Sequence, residues 1–219
     1  MSISEKLKKI KETLPSEVTL VAVSKTKPVS DLQEAYDAGQ RVLGENKVQE
    51  MTQKWEAMPK DIQWHMIGHV QRNKVKYMAE FVSLIHGVDS FKLLKEIDKQ
   101  AKKHNRVIDC LLQIHIAEED TKFGLDESEL NEIIASEEFK QLENVRVVGL
   151  MGMATFTDNR EQIRREFKQL KSIYTSLENK LENLGILSMG MSGDYQMAIE
   201  EGSTMVRIGS SIFGARNIH

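Results

Sequence analysis

Eight short apolar runs alternate with longer amphipathic segments along this chain of 219 residues. β-Branched and apolar residues dominate the short runs, which is typical of buried strands. The predicted strands are Thr19–Ser24, Arg41–Gly44, Gln63–Ile67, Leu84–Val88, Val107–Ile116, Arg146–Leu150, Ile186–Met189 and Met205–Ile208. Alternating strands and helices predict an α/β fold, and eight strands over this length favour a TIM-type (β/α)8 barrel.

The segments between these strands have helical spacing. The predicted helices include Phe91–His104, Glu127–Ala135 and Arg160–Leu184, and an extra N-terminal helix over Ser2–Leu14 precedes the first strand. A doubly wound open sheet fits the same alternation, but no G-x-G-x-x-G motif follows the first strand, which argues against a dinucleotide-binding fold. No linker rich in Pro, Gly or Ser divides the chain, so we expect one domain over residues 1–219.

Composition narrows the range of partners and compartments. Thirty basic residues face 33 acidic ones, which gives a net charge of −3 and no sign of a nucleic-acid or membrane surface. No stretch approaches the roughly 20 apolar residues of a membrane span, and the first residues lack the apolar core of a secretory signal. Cys110 is the only cysteine, so no intramolecular disulfide can form. We expect a cytoplasmic protein.

Lys25 ends the first apolar run and is followed by Pro28, which cannot continue a central strand. A lysine at the mouth of a buried strand has its stem in the core and its amine at the rim. Desolvation there lowers the pKa of the amine, and a neutral amine can attack a carbonyl to form a Schiff base. A lysine that simply leaves the strand and meets water fits this segment alone at least as well.

Glycine-rich loops follow the last two predicted strands, where barrels commonly hold phosphate. Ser192 and Ser210 could add hydroxyl donors to backbone N–H groups around Gly209, and a short helix beginning near Ser210 would favour an anion. Each loop alone fits a tight turn that needs glycine for its backbone angles. The two loops together with a strand-end lysine favour a phosphate site.

Arg207 lies inside an apolar strand, where a guanidinium needs an acceptor because it cannot lose its proton. The acceptor could be a carboxylate such as Asp194 or Glu201, a ligand phosphate or a pyridine nitrogen. His65 and His69 lie four residues apart without a third ligand at a suitable spacing, so we expect no metal site.

Several motifs of the chain together resemble the pyridoxal phosphate homeostasis protein family. These motifs are Ala22–Pro28, Gly44–Asn46, Trp64–Lys74, Leu187–Asp194 and Val206–Arg216. The resemblance spans nearly the whole chain. It implies a modified TIM barrel, similar to the barrel domain of bacterial alanine racemase, that binds pyridoxal 5′-phosphate (PLP).

The resemblance also implies roles for eight residues. Lys25 would hold PLP as a Schiff base, and Arg207 would face the pyridine nitrogen. The phosphate would be held by Ser192, Gly209 and Ser210, and the ring would be lined by Asn46, Ile67 and Met151. A guanidinium beside the pyridine nitrogen disfavours ring protonation, which weakens the ring as an electron sink.

Racemases of this barrel type carry a second domain that supplies an opposing tyrosine base, and the sequence offers only Tyr195 as a candidate for that role. We therefore expect a monomeric PLP carrier without efficient catalysis that acts in vitamin B6 homeostasis and can pass the cofactor to PLP-dependent apoenzymes. Three alternatives stay open: a weak PLP-dependent racemase or related enzyme, a Schiff-base aldolase-type barrel that acts on a sugar phosphate, and a partner-binding barrel whose cofactor is only structural.

Overall fold

Eight parallel strands form a closed barrel in which each strand pairs with its neighbours in sequence and β1 pairs with β8. The computed structural model of the chain describes residues 1–119 and 123–216. The strands are β1 Thr19–Val23, β2 Val42–Glu45, β3 Gln63–Met66, β4 Leu84–Val88, β5 Ile108–Gln113, β6 Val145–Met151, β7 Ile186–Ser188 and β8 Met205–Ile208. The barrel prediction is confirmed, and the open sheet is excluded by the β1–β8 pairing.

Ten α-helices are described around the barrel, together with a short 3-10 turn over Arg72–Lys74. They are α1 Ile3–Thr13, α2 Val29–Asp37, α3 Val48–Ala57, α4 Val75–Met78, α5 Phe91–Lys103, α6 Glu127–Ala135, α7 Glu137–Lys140, α8 Arg160–Ser176, α9 Tyr195–Glu200 and α10 Ser210–Phe213. The predicted N-terminal helix is α1, which begins after Ser2 because the Ser2 hydroxyl and Glu5 form a capping box. No helix in the described part of the chain is long and apolar enough to cross a bilayer.

Two predicted elements are longer than the observed ones, for the same reason. The run predicted as Val107–Ile116 is a strand only over Ile108–Gln113, and the helix predicted to reach Leu184 ends at Ser176. In each case the apolar pattern continues because the following loop also packs on the core: Ile116 is buried, and Leu184 contacts the core from a non-helical segment. The spacing of apolar residues therefore predicted correctly which residues are buried, but not where β5 and α8 end.

Side chains alternate between two apolar clusters along each strand. Leu20 and Ala22 of β1 belong to the large cluster between the barrel and its helices, whereas Val21 belongs to a smaller cluster inside the barrel. The inner cluster consists of Val21, Leu84, Leu111, Val148, Met151 and Met205. The inward positions near the carboxyl ends of several strands carry polar side chains instead, and these form the candidate site.

Candidate functional site

The eight predicted site residues lie at or just beyond the carboxyl ends of six strands. They follow or end β1 (Lys25), β2 (Asn46), β3 (Ile67), β6 (Met151), β7 (Ser192) and β8 (Arg207, Gly209, Ser210). Because the strands are parallel, these ends share one mouth of the barrel.

Lys25 is half-buried just beyond β1. Burial lowers the pKa of its amine, Arg216 lowers it further by repulsion, and the carboxylate of Glu45 acts in the opposite direction. This lowering of the Lys25 pKa is the shift predicted from the position of Lys25 at the end of a strand. A lowered pKa leaves more of the amine neutral at neutral pH and so able to attack a carbonyl.

The loops after β7 and β8 meet at Ser192 and Gly209. The Gly209 N–H donates to the Ser192 hydroxyl oxygen at 3.3 Å, and α10 begins at the next residue, Ser210. A Cβ on Gly209 would lie 3.2 Å from both the Cβ and the carbonyl oxygen of Val23, so glycine allows this loop to lie close against β1. The first amides of a helix have no partner within the helix, and those of α10 come directly after Gly209, whose N–H contacts Ser192.

Arg207 points into the barrel and is only 3% exposed. Its guanidinium donates to the Ser188 hydroxyl oxygen and, at 3.2 Å, to the carbonyl oxygen of Gly152. Burial lowers its pKa to about 10, so it stays charged at neutral pH, and Asp194 acts in the opposite direction. Among the described residues Arg207 forms no ion pair, and Glu201, one of its predicted partners, pairs instead with Arg164 at 2.7 Å. The guanidinium therefore keeps donor capacity for a ligand.

A chain of hydrogen bonds that the sequence did not predict leads from Arg207 across the barrel. The Ser188 hydroxyl lies 3.0 Å from Nδ1 of His86, and Nε2 of His86 lies 2.9 Å from Nδ1 of His65. Burial lowers the pKa of His65 to about 3 and that of His86 well below its usual value, with His65 and Arg207 adding to the shift of His86. Both imidazoles are therefore neutral, and the chain holds Arg207 without a counter-ion.

The sequence contained one signal for this chain: His86 interrupts an otherwise apolar strand. Its partner His65 lies on the neighbouring strand β3, but Ser188 lies on β7, which is brought within reach only by the closure of the barrel.

Apolar side chains and a close backbone approach complete the mouth. Met151 belongs to the inner cluster, and Ile67 packs against that cluster. A Cβ on Gly44 would lie 2.8 Å from Cγ1 of Val21 and 3.4 Å from Cδ1 of Ile67, so glycine lets these two side chains pack over β2. Asn46 is half-buried, and its backbone packs so closely on Gly68 that a Cβ on Gly68 would lie 2.9 Å from the Asn46 Cα.

Tyr195, the candidate for an opposing base, does not point into the barrel. Its hydroxyl lies 3.1 Å from the Thr13 hydroxyl of α1, and its ring packs on the outer cluster rather than inside the barrel. His69 lies at the exposed rim, where Nδ1 is 3.1 Å from an Asp89 carboxylate oxygen and the ring stacks on Phe123.

The chain resembles known proteins over nearly its whole length. The family described as "Alanine racemase, N-terminal domain" matches residues 1–217. The pyridoxal phosphate homeostasis protein of Aquifex aeolicus is 43% identical over 199 residues, which cover 90% of this chain and 86% of that protein. The chain belongs to the pyridoxal phosphate homeostasis protein family.

The resemblance read from the motifs is thereby confirmed. Among solved structures, the protein resembles PipY of Synechococcus elongatus, which is known both without PLP and with PLP bound. The two PipY structures give TM-scores of 0.91 and 0.89 at 35% identity, and each match covers 97% of this chain and all of PipY. Alanine racemase of Clostridium difficile, at 16% identity, shares the fold with a TM-score of 0.82 over 98% of this chain and 59% of the racemase.

Proposed function

We propose that this member of the pyridoxal phosphate homeostasis protein family binds PLP at the carboxyl mouth of its barrel, on Lys25. The observation that carries the proposal is the convergence of three features on that mouth. These are a lysine amine of lowered pKa, a buried arginine that forms no ion pair within residues 1–119 and 123–216, and the contact between Ser192 and Gly209. PLP bound to PipY supports the same ligand class.

Lys25 provides the covalent link. PLP supplies an aldehyde, which condenses with a lysine amine to a C=N bond with release of one water. Only a neutral amine carries the lone pair for this attack, and burial together with Arg216 raises the neutral fraction of Lys25. The relatives bear the name of homeostasis proteins, which supports cofactor holding in vitamin B6 homeostasis as the role of this chain.

The phosphate group fits the turn formed by Ser192, Gly209 and Ser210. The hydroxyl of Ser192 and the first amides of α10 are donors, and an anion at this point is favoured by the start of the helix. Arg216, which is close enough to Lys25 to lower the pKa of its amine, adds positive charge at the mouth. The donors are neutral or cationic, as a phosphate dianion requires.

Arg207 fits the pyridine nitrogen as a hydrogen-bond donor. Because the guanidinium is charged, it favours an unprotonated ring nitrogen, and such a ring withdraws electrons weakly. The neutral partners Ser188 and His86 do not offset this charge. Asn46, Ile67 and Met151 form the remaining wall around the ring.

These features support holding and transferring PLP rather than turnover of an amino acid. Tyr195 bonds to α1 instead of facing the mouth, which removes the one candidate for a second base. PLP held on Lys25 would be open to exchange with an incoming amine, which would allow the cofactor to pass to PLP-dependent apoenzymes. The protein acts in this account as a cytoplasmic, single-domain monomer.

The test is a visible absorption spectrum of the purified protein with added PLP, before and after borohydride. We expect a Schiff-base band that borohydride bleaches in the wild type and in the control Lys27→Ala, and no such band in Lys25→Ala. Addition of an apoenzyme should then draw PLP off the wild type, while amino-acid enantiomers are not turned over. Absence of the band in the wild type would overturn PLP binding on Lys25, and turnover abolished by Lys25→Ala would favour the weak racemase.

A further inference from the structure

We propose that Glu50 is a positioning residue for Lys25, acting with Glu45 and Lys54 as a buried charge cluster that fixes the peptide units on both sides of that lysine. This inference rests on the proposed function, in which Lys25 is the lysine that links PLP. The cluster lies outside the barrel wall, between the ends of β1 and β2 and helix α3.

The cluster is built from one ammonium group between two carboxylates. The Lys54 ammonium contacts Oε1 of Glu45 and lies 2.7 Å from Oε2 of Glu50. The side chains of Glu45 and Lys54 are 0% and 7% exposed, whereas that of Glu50 is 25% exposed. Oε2 of Glu45 has no hydrogen-bond partner in the described structure. Charges buried in this way are a poor source of stability, so their position calls for another explanation.

On the amino-terminal side of Lys25, the cluster holds Ser24. Lys54 donates to the Ser24 carbonyl oxygen at 2.8 Å, and the Ser24 hydroxyl donates to Oε1 of Glu45 at 3.1 Å. The Ser24 N–H also donates to the Gly44 carbonyl oxygen at 3.0 Å. Ser24 is therefore held through its N–H, its carbonyl and its side chain.

On the carboxyl-terminal side, the cluster holds a strained residue. Thr26 has a φ of 65°, which is unfavourable for a β-branched side chain. Its N–H donates to Oε2 of Glu50 at 2.7 Å, the same oxygen that accepts from Lys54. Strain of this kind persists only where neighbouring groups hold it.

Lys25 thus sits between two peptide units that are both tied to one ammonium–carboxylate cluster. The ties fix the direction in which the Lys25 side chain leaves β1, and so where its amine meets the aldehyde. A misplacement of the order of 1 Å at a reacting group can slow a reaction by about a hundredfold. The hydrogen bonds of Glu50 go to the Lys54 ammonium and the Thr26 N–H, so it acts through the backbone of Thr26.

The test uses Glu50→Ala and Glu50→Gln, with Glu56→Ala as a matched control because Glu56 is an exposed glutamate on the same helix. In PLP-free protein, hydrogen exchange at the Thr26 amide should accelerate in Glu50→Ala but not in Glu50→Gln, whose amide oxygen can still accept. At saturating PLP, the rate of Schiff-base formation should fall about tenfold or more in Glu50→Ala. In Glu50→Gln and in Glu56→Ala the rate should stay near that of the wild type.

Glu50→Asp replaces Glu50→Ala in this test if Glu50→Ala does not fold. It keeps the charge but moves the carboxylate back by one methylene. We expect the same faster exchange at the Thr26 amide and the same slower Schiff-base formation. Unchanged exchange and unchanged rate in the truncated variants would overturn the inference, as would equal losses in Glu50→Gln and Glu50→Ala. A lower melting temperature with an unchanged rate would assign Glu50 a structural role only and also overturn it. A wild type that links PLP through a lysine other than Lys25 would instead mark failure of the proposed function.

Discussion

His65 and His86 share a hydrogen bond inside the barrel, with Nδ1 of one ring 2.9 Å from Nε2 of the other. Burial lowers the pKa of both rings, so neither carries a charge at neutral pH. Through Ser188 the pair reaches Arg207, and a charged guanidinium is thereby held by neutral groups alone. This arrangement keeps the positive charge of Arg207 available to a ligand.

The neutral state of His65 predicts a dependence of stability on pH. Its pKa is lowered to about 3 in the folded protein, against about 6.5 in the unfolded chain. Between these values the unfolded state binds a proton that the folded state does not, so the free energy of unfolding falls as the pH falls. The expected contribution is about 1.4 kcal/mol per pH unit.

His65→Gln removes this contribution while retaining hydrogen-bonding groups. Urea unfolding from pH 6 down to pH 4 should therefore show a shallower loss of stability in His65→Gln than in the wild type. The exposed His104→Gln is the control and should follow the wild type. Identical slopes in all three proteins would contradict a neutral buried His65.

Arg207→Met should separate stability from cofactor binding. Replacement of a buried charge by an apolar side chain of similar volume is often neutral or stabilising, so the PLP-free protein should unfold at the same or a higher urea concentration. PLP affinity should fall about tenfold or more, because a charge-assisted hydrogen bond to the ring is lost. Arg146→Met, at an exposed pair with Asp109, should leave affinity unchanged. Unaltered PLP affinity in Arg207→Met would remove Arg207 from the site.

Ser192→Ala should discriminate between PLP and pyridoxal, which lacks the phosphate. The variant loses the hydroxyl that accepts from Gly209 and that we assign to the phosphate. We expect PLP affinity to fall about tenfold with little change for pyridoxal, measured by titration of the visible band. The exposed Ser172→Ala is the control. Equal losses for both ligands would place the phosphate elsewhere.

Gly68→Ala should destabilise the protein, because the new methyl group would collide with the backbone of Asn46 at the barrel mouth. The new Cβ would lie 2.9 Å from the Asn46 Cα, and backbone cannot yield as a flexible side chain does. A loss of about 1–3 kcal/mol in the free energy of unfolding is expected, as for other overpacked positions. Gly185→Ala is the control, because a Cβ there meets nothing within 4 Å. Equal stability of the two variants would contradict the close approach of β2 and β3 at the mouth.

The fold was predictable because each strand of a parallel barrel is a separate apolar run. Lys25 could also be predicted, since a polar residue at the end of such a run must lie at the mouth. The ends of β5 and α8 were not predictable, because buried loops extend the same apolar spacing beyond the hydrogen-bonded element.

The hydrogen bonds inside the barrel and the buried charge cluster could not be predicted from the sequence, for a different reason. His65, His86 and Ser188 lie on three strands, and Glu45 and Lys54 face each other across a strand and a helix. Nothing in local spacing reports such contacts, since they depend on how the strands pair and close into a barrel and on which face of α3 packs on it. Strain at Thr26 is invisible in the sequence for the same reason, because it is set by the Glu50 contact.

The most direct test of the account is the identity of the lysine that links PLP. The protein would be loaded with PLP, reduced with borohydride, digested and mapped by mass spectrometry. We predict that the pyridoxyl group is found on Lys25. A pyridoxyl group on another residue such as Lys27 or Lys54, or on no lysine, would contradict the assignment.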